Sequence, residues 1–288
     1  MIAVFRRELN SYFHNLSGYV FGAFLLFFAG IYCMVYNLRS SLTNFEYVLG
    51  GMSFIFLVNV PVLTMRVLAE ERRQKTDQLL YSLPLSMTQV VLGKYAAMLV
   101  VFLAPLCIIS LYPILLTAFG NVNLGAAFGA IVGFFFLGAA LIAIGMYVSS
   151  VTESQAVAAG LCFVVMLVNY FIADLAGYAS STAVGSLAAL MLVGLVIGVV
   201  IYVMTRSSFG ALIATAFLEA GVMGLYVLDS ARFEGLFPSV MEKLSLFERF
   251  YALLNGVFDV TSLVYFASVA GVFLFLSVQS MEKGRWSE

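Results

Sequence analysis

The sequence predicts an all-α polytopic membrane protein with six to eight transmembrane helices, eight being the better count. Three observations predict it. Charged residues make up 10% of the 288 residues, against about 25% in an ordinary globular domain. Hydrophobic residues make up 63%, more apolar surface than so few polar side chains can cover in water. The apolar residues also gather into runs of the length that crosses a bilayer as a helix, about 20 residues. The whole chain, 1–288, reads as a single transmembrane domain.

The same composition excludes other classes. A net charge of −1 lacks the basic face that a nucleic-acid partner requires. Cys33, Cys107 and Cys162 fall inside apolar runs with neither pairing nor metal spacing, so they read as membrane-core residues. The single His14 offers no histidine metal site. Arg6 and Arg7 precede an apolar run too long for a cleaved signal and without an A-x-A-like site, so the first span is expected to stay as an anchor.

Taken in order, residues 1–17 predict a short amphipathic helix at the membrane interface. Ile2, Phe5, Leu9, Tyr12, Phe13 and Leu16 recur at spacings of three and four, with Arg6, Arg7, Glu8 and Asn10 between them. Spans are then expected over 18–36, 48–68, 95–118, 125–149, 156–176, 183–205, 209–228 and 260–281. The links 150–155 and 206–208 are very short, which leaves six spans plus a re-entrant pair over 183–228 as the alternative. Lys and Arg favour the cytoplasmic side of short loops. With the N-terminus inside, that side collects Arg6, Arg7, Arg66, Arg72, Arg73, Lys75, Lys94, Arg206, Lys283 and Arg285, and the outer side keeps Arg39, Arg232, Lys243 and Arg249. Both termini and the polar loop between the second and third spans are therefore expected in the cytoplasm. The parity is the same without the 183–228 pair.

Ser86-Met87-Thr88-Gln89 fits a capping box at the start of the third helix, with Leu85 and Val90 placed for a hydrophobic staple. Run from Met87 to Ala118, that helix is roughly 48 Å long, against a hydrocarbon core of about 30 Å. Several of its turns should project into the cytoplasm, and Pro105 and Pro113 should kink the rest. Near the end of the chain, 229–259 is the largest extracytoplasmic segment. Val240, Leu244, Phe247, Tyr251 and Leu254 mark one apolar stripe, with Glu242, Lys243, Glu248 and Arg249 largely off it. This predicts an outer amphipathic helix before the last span.

Catalytic motifs are absent. There is no G-x-x-x-x-G-K-[ST], no H-E-x-x-H, no G-x-S-x-G and no cysteine pair of zinc spacing. The chain is therefore not expected to be an enzyme by itself, nor to bind a cofactor. One acid, Glu219, falls well inside an apolar run. Such a residue is a candidate intramembrane polar site, set against a neutral or hydrogen-bonded carboxyl. The spacings Gly129/Gly133 and Gly194/Gly198 permit close helix packing.

The longest polar interruption in the first three-quarters of the chain runs from Arg66 to Lys94. Within it, Thr76 is placed to cap a short helix with Asp77 in its first turn. Leu79, Leu80 and Leu83 give that helix an apolar side, and Pro84 ends it. The stretch AEERRQKTDQLLYSLPLSMTQVVLGKY resembles the inner loop of type-2 ABC exporter permeases (the ABC-2 family), in particular the gliding-motility-type branch. There an acidic-basic cluster leads into GT-x-x-LL-x-x-P, and a Lys precedes the third span. Glu70, Glu71, Arg72 and Arg73 match the cluster; Thr76, Leu79, Leu80 and Pro84 match the stretch; Lys94 matches the lysine. Lys75 stands where that family usually has Gly. FRRELNSYFHNLSGYVF and LFERFYALLNGVFDVTSLVYFASVAGVFLFLSVQSMEKGRW are similar to the same branch, while 183–228 looks like an insertion.

The resemblance implies the permease subunit of an ATP-driven exporter, forming the translocation pathway in a bacterial cytoplasmic membrane. Its implied partners are an ABC ATP-binding subunit, which carries the ATP and Mg, and a second permease in a homo- or heterodimer, with scope for an extracytoplasmic accessory protein. The first inner loop, 69–86, would hold the coupling helix that seats on the ATPase. Two alternatives stand beside this reading: a membrane subunit of an ABC-type assembly or maturation machine without soluble cargo, and an ion-coupled secondary transporter. The nature of the load is not written in the sequence.

Overall fold

Fourteen α-helices follow one another through the described residues, and no strand occurs among them. The computed structural model describes residues 1–74, 86–205, 208–255 and 259–286. They form two compact units, Met1–Val168 with Arg249–Glu288, and Asn169–Glu248.

The first unit begins with α1 (Ile2–His14), the amphipathic helix expected from the spacing. Two faces share the work differently from the prediction. Val4 is buried and the Tyr12 phenol donates to the Leu63 carbonyl at 3.1 Å, whereas Ile2, Phe13 and Leu16 lie exposed. The expected stripe therefore divides between the protein and the outside. Leu16, in the left-handed region at φ 58°, turns the chain into α2 (Ser17–Cys33). A π-helical turn, Met34–Arg39, extends α2. Phe21, Leu25 and Ala29 form its buried face.

The predicted span 48–68 is not one straight helix. It divides into α3 (Glu46–Ser53) and α4 (Phe56–Thr64), and the pair is bent by 61°. The reason is local. Ile55 N bonds to Met52 O, Leu57 N to Phe54 O and Val58 N to Ile55 O, so tight three-residue turns replace the α ladder. The Ser53 hydroxyl also donates to the Gly50 carbonyl at 2.7 Å. After α4, a turn leads to the short α5 (Ala69–Arg73).

Ser86 caps α6 (Met87–Ile109) by accepting from Gln89 N at 3.3 Å, as half of the predicted box requires. Its staple partner Leu85 lies outside the described residues. The helix expected over 87–118 is interrupted as Pro113 predicts, α6 being followed by α7 (Leu111–Leu116), while Pro105 lies inside α6 without ending it. Pro113 cannot donate to the carbonyl four residues back, Ile109, and the first helix ends at that residue.

Asn123 caps α8 (Leu124–Val151) by accepting from Ala126 N. This helix is the axis of the unit, with 72% of its most apolar stretch buried. It packs on α4, α6 and the last helix. Phe134 on α8 meets Phe56 on α4 at 4.5 Å and Phe102 on α6 at 6.2 Å, and Phe56 and Phe102 close the triangle at 5.7 Å. Gly138 makes room for them. A Cβ there would stand 2.5 Å from the Phe102 ring. The chain continues into α9 (Gln155–Ala176).

The second unit holds α10 (Ala183–Thr205) and α11 (Ser208–Leu228), packed on each other. Gly194 lies under Leu218 and Glu219, and Gly198 lies under Thr215, which is the close packing expected of that spacing. A 3₁₀ turn, Ser230–Phe233, leads to α12 (Leu236–Leu244). The outer stripe predicted over 240–254 is broken here, because Ser245 ends α12 and caps α13 (Leu246–Leu254) by accepting from Glu248 N. Asn169 holds the joint: it donates to Leu244 O at 3.1 Å and accepts from Leu246 N at 3.0 Å. The restart moves the buried face to Leu246, Phe247, Phe250 and Leu253, while Leu244 stays exposed.

Back in the first unit, Asp259 opens α14 (Val260–Trp286), its carboxylate accepting from Thr261 N and Ser262 N. Bonds from Ser262 and Thr261 hold that carboxyl below its usual range.

Six helices among the described residues are long and apolar enough to cross a membrane: Ser17–Arg39, Met87–Leu116, Leu124–Val151, Gln155–Ala176, Ser208–Leu228 and Val260–Lys283. Counting the bent pair as one span gives up to seven, inside the expected range of six to eight and one short of the favoured eight. The expected span over 48–68 is the bent pair, and α10 is one helix of 23 residues over the stretch expected to span.

Candidate functional site

Lys94 sits about two turns into α6, after Gly93, in an otherwise apolar stretch. Its side chain is 1% exposed. A buried ammonium is costly unless every donor is met, and this one has three donors. Nζ donates to Glu71 Oε1 at 2.8 Å, to Glu8 Oε1 at 3.1 Å and to the Val67 carbonyl at 3.0 Å. Three acceptors meet three donors. Arg7 closes the cluster from the solvent side, bonding Glu8 at 3.1 Å and Glu71 at 3.0 Å. Two cations and two carboxylates thus join α1, α5 and α6.

Close approach of α1 makes this geometry accessible. A Cβ on Gly93 would stand 3.2 Å from the Met1 carbonyl and from Val4, so a larger residue would push Glu8 away from Lys94. Tyr12, two turns along α1 from Val4, fixes the other end of the contact. Burial, with the Glu8 charge adding to it, raises its phenol above the ordinary range. The hydroxyl stays neutral and remains a donor.

The chain just before the polar loop is fastened a second time. Ser149 on α8 accepts from Leu68 N at 3.2 Å and Ala69 N at 3.1 Å, the free amides at the start of α5, and donates to Met65 O at 3.3 Å. Arg72 donates to the Ser280 carbonyl of α14 at 3.2 Å, and the Ser280 hydroxyl donates to Ser150 O on α8 at 3.1 Å. Arg66 pairs with Glu70 at 3.0 Å, and Gln74 donates to Glu70 at 3.2 Å. The root of the loop is tied to four other helices: α1, α6, α8 and α14.

Of the residues singled out from the sequence, Glu70, Glu71, Arg72 and Arg73 lie on α5. Glu71 joins the buried cluster, Glu70 and Arg72 make the flanking bonds, and Arg73 is exposed. Thr76, Asp77, Leu79, Leu80, Leu83 and Pro84 lie outside the described residues. Sequence reasoning missed Glu8, Arg7 and Ser149. The signal for Glu8 was a lone acid on the amphipathic first helix, and nothing in its local pattern names Lys94, 86 residues away. Ser149 had no signal, since a serine in an apolar run is common helix furniture.

Glu219 lies in the second unit on α11, beside a cavity of about 510 Å³ lined by Leu195, Gly198, Tyr202 and Thr215. Both of its carboxyl oxygens are buried without a hydrogen-bond partner among the described residues. No group of three His, Cys, Asp or Glu side chains is placed to hold a metal ion among the described residues.

A family model described as ABC-2 family transporter protein matches residues 7–228. The match takes in Arg7 and Glu8, the polar loop, Lys94, Ser149 and Glu219. No curated protein matches the chain.

Proposed function

The chain belongs to the ABC-2 transporter family and is a membrane permease component of an ABC transporter, and we propose that its polar loop, 69–86, couples it to the ATP-binding partner that such transporters employ. The single observation that carries this reading is the clamp of Lys94, Glu71, Glu8 and Arg7 at the loop's root. A loop that only solubilised the connection between two spans would need no buried lysine held by two carboxylates behind it, with an arginine capping them from the solvent side. A loop that receives a push needs a stiff root, so that displacement at its tip becomes displacement of helices.

The route of that push follows the bonds. Movement of α5 pulls on Ser149 and hence on the axial helix α8, and through Arg72 on α14. Movement of Glu71 pulls on Lys94 and Glu8 together, so α6 and the interfacial α1 shift as one. On this reading Thr76, Asp77, Leu79, Leu80, Leu83 and Pro84 form the contact with the ATPase, and Glu70, Glu71, Arg72 and Arg73 transmit it. The transported direction is outward, with both termini and the loop in the cytoplasm of a bacterial cell. A second permease subunit completes the pathway. Placement within the gliding-motility-type branch rests on the residue pattern of the loop.

Coexpression with an ABC ATP-binding subunit from the same genome tests the reading. The expected result is a complex whose ATP hydrolysis depends on this subunit. In that complex Leu79→Asp or Leu80→Asp should uncouple hydrolysis from transport while insertion stays normal. Transport by the purified chain alone on an ion gradient would sink the proposal. Glu219 favours that second reading, since an unpartnered carboxyl beside a cavity is what an ion-coupled carrier requires. Glu219→Gln separates the two, abolishing transport with ATPase association intact only if the carrier reading holds.

A further inference from the structure

At the end of the first unit away from Lys94, α2 finishes in its π-helical turn and the chain doubles back into α3. Asn37, buried in that turn, donates to Leu42 O at 2.7 Å and Asn44 O at 3.4 Å and so shapes the connection. The next acidic residue, Glu46, opens α3 and is 5% exposed. Its Oε2 is buried with no hydrogen-bond partner among the described residues. Glu46 lines a cavity of about 540 Å³ together with Tyr36, Tyr47, Tyr251, Asn123 and Asn255. None of the lining residues is a Lys or Arg.

We infer that this cavity binds a small organic ammonium, with Glu46 as its counter-charge and the three tyrosines as its wall. A carboxylate placed in a buried position without a partner is costly, and an incoming cation removes that cost. The wall is of the right chemistry. Tyrosine faces attract ammonium groups within about 6 Å of the ring, and alkylated ammonium most characteristically. The rings are held in place: Tyr36 stacks on Tyr32 at 6.1 Å and 8°, and Tyr47 follows at 6.5 Å. The Tyr251 hydroxyl is hydrogen-bonded with Ser53 at 2.9 Å. Asn123 and Asn255 supply polar groups for a hydroxyl or amine on the ligand.

Size and ligand count separate this from a metal site. The volume falls in the range of small-molecule pockets, about 300–1,000 Å³, and is far larger than a dehydrated ion. One carboxylate with an aromatic wall is a poor shell for a hard cation, which takes six or more oxygens. The site goes beyond the coupling reading and does not depend on it. Its ligand chemistry is shared by free organic ammonium solutes and by ethanolamine lipid headgroups, so the test carries an arm for each.

The full-length chain in nanodiscs of phosphatidylglycerol alone is titrated with radiolabelled choline and with ethanolamine. Saturable binding is expected, with no competition by 3,3-dimethylbutan-1-ol, the neutral isostere of choline. Glu46→Gln should weaken binding at least about tenfold, because it removes one member of a buried charge pair. Tyr47, half-exposed, is the second probe: Tyr47→Phe should keep the affinity within about twofold, and Tyr47→Ser should lose about two- to fivefold. If Glu46→Gln fails to insert, the Tyr47 pair decides. Repeating the titration with phosphatidylethanolamine in the disc identifies the occupant. Lost choline binding assigns the site to the headgroup, and unchanged binding assigns it to a free solute. Absence of saturable binding in the phosphatidylglycerol discs, equal binding by wild type and Glu46→Gln, Tyr47→Ser equal to Tyr47→Phe, or displacement by sodium or potassium at equal concentration each overturns the inference.

Discussion

Lys94 concentrates the physics of the polar loop into one side chain. Its three donors are met by two carboxylates and a carbonyl, and its environment admits almost no water. Removing one member of such a cluster leaves a buried charge behind, which costs about 3–5 kcal/mol. Lys94→Met should therefore lower stability by that amount, read as a fall in thermal midpoint in detergent. Replacing Lys94, Glu71 and Glu8 together by apolar residues of similar volume should recover most of the loss, since buried ion clusters contribute little net stability. On the coupling reading the triple variant recovers folding and not ATP-driven transport. Recovery of both would show that the cluster is only structural. Little of this was legible beforehand. The lysine stood out in its apolar surroundings, but its partners lie 23 and 86 residues away in sequence. Only folding brings them within 3.1 Å.

Elements carry the next layer, and here local chemistry was a good guide where it acted over a few residues. Ser86 caps α6 because a hydroxyl three residues before a free amide satisfies it whatever the surroundings. Pro113 ends α6 at Ile109 for an equally local reason. The bend in 46–64 was less visible, because the tight turns at Met52–Val58 arise in a stretch whose composition is uniformly apolar. The joint at Ser245 was hidden by a stripe that continues in sequence across it. Its bonds come from Asn169, 76 residues away. Close helix packing gives a direct test. Gly138→Ala places a methyl 2.5 Å from the Phe102 ring, and overpacking of this kind costs about 1–3 kcal/mol. The same change at Gly271, inside α14 with nothing within 4 Å of the added carbon, should leave the thermal midpoint no lower than in the parent, since Ala favours a helix interior over Gly.

At the scale of the whole molecule the chain is an integral membrane protein of the ABC-2 family, and the placing of its Lys and Arg residues is the basis of the orientation we propose. On the coupling reading the loop and both termini share one side. Single cysteines introduced at Gln74 and Arg39 into a variant lacking Cys33, Cys107 and Cys162 should report this. A membrane-impermeant maleimide added to intact cells should label position 39 and leave position 74 unlabelled until the cells are opened. The opposite pattern would reverse the assignment and separate the loop from any cytoplasmic ATPase.

By itself the sequence determined the class, the order of the helices and the place of the polar loop. Those properties depend on composition and on spacing within a turn or two, and apolar runs of span length have no other stable solution in a bilayer. It also held the loop pattern that marks the family. Tertiary structure alone decided which charges meet. It placed Glu8 and Glu71 on Lys94, set Ser149 against the first amides of α5, and left Glu46 facing a tyrosine-walled cavity. Those choices rest on contacts between residues far apart in the chain, where burial makes a charge choose a partner and sequence proximity has no say.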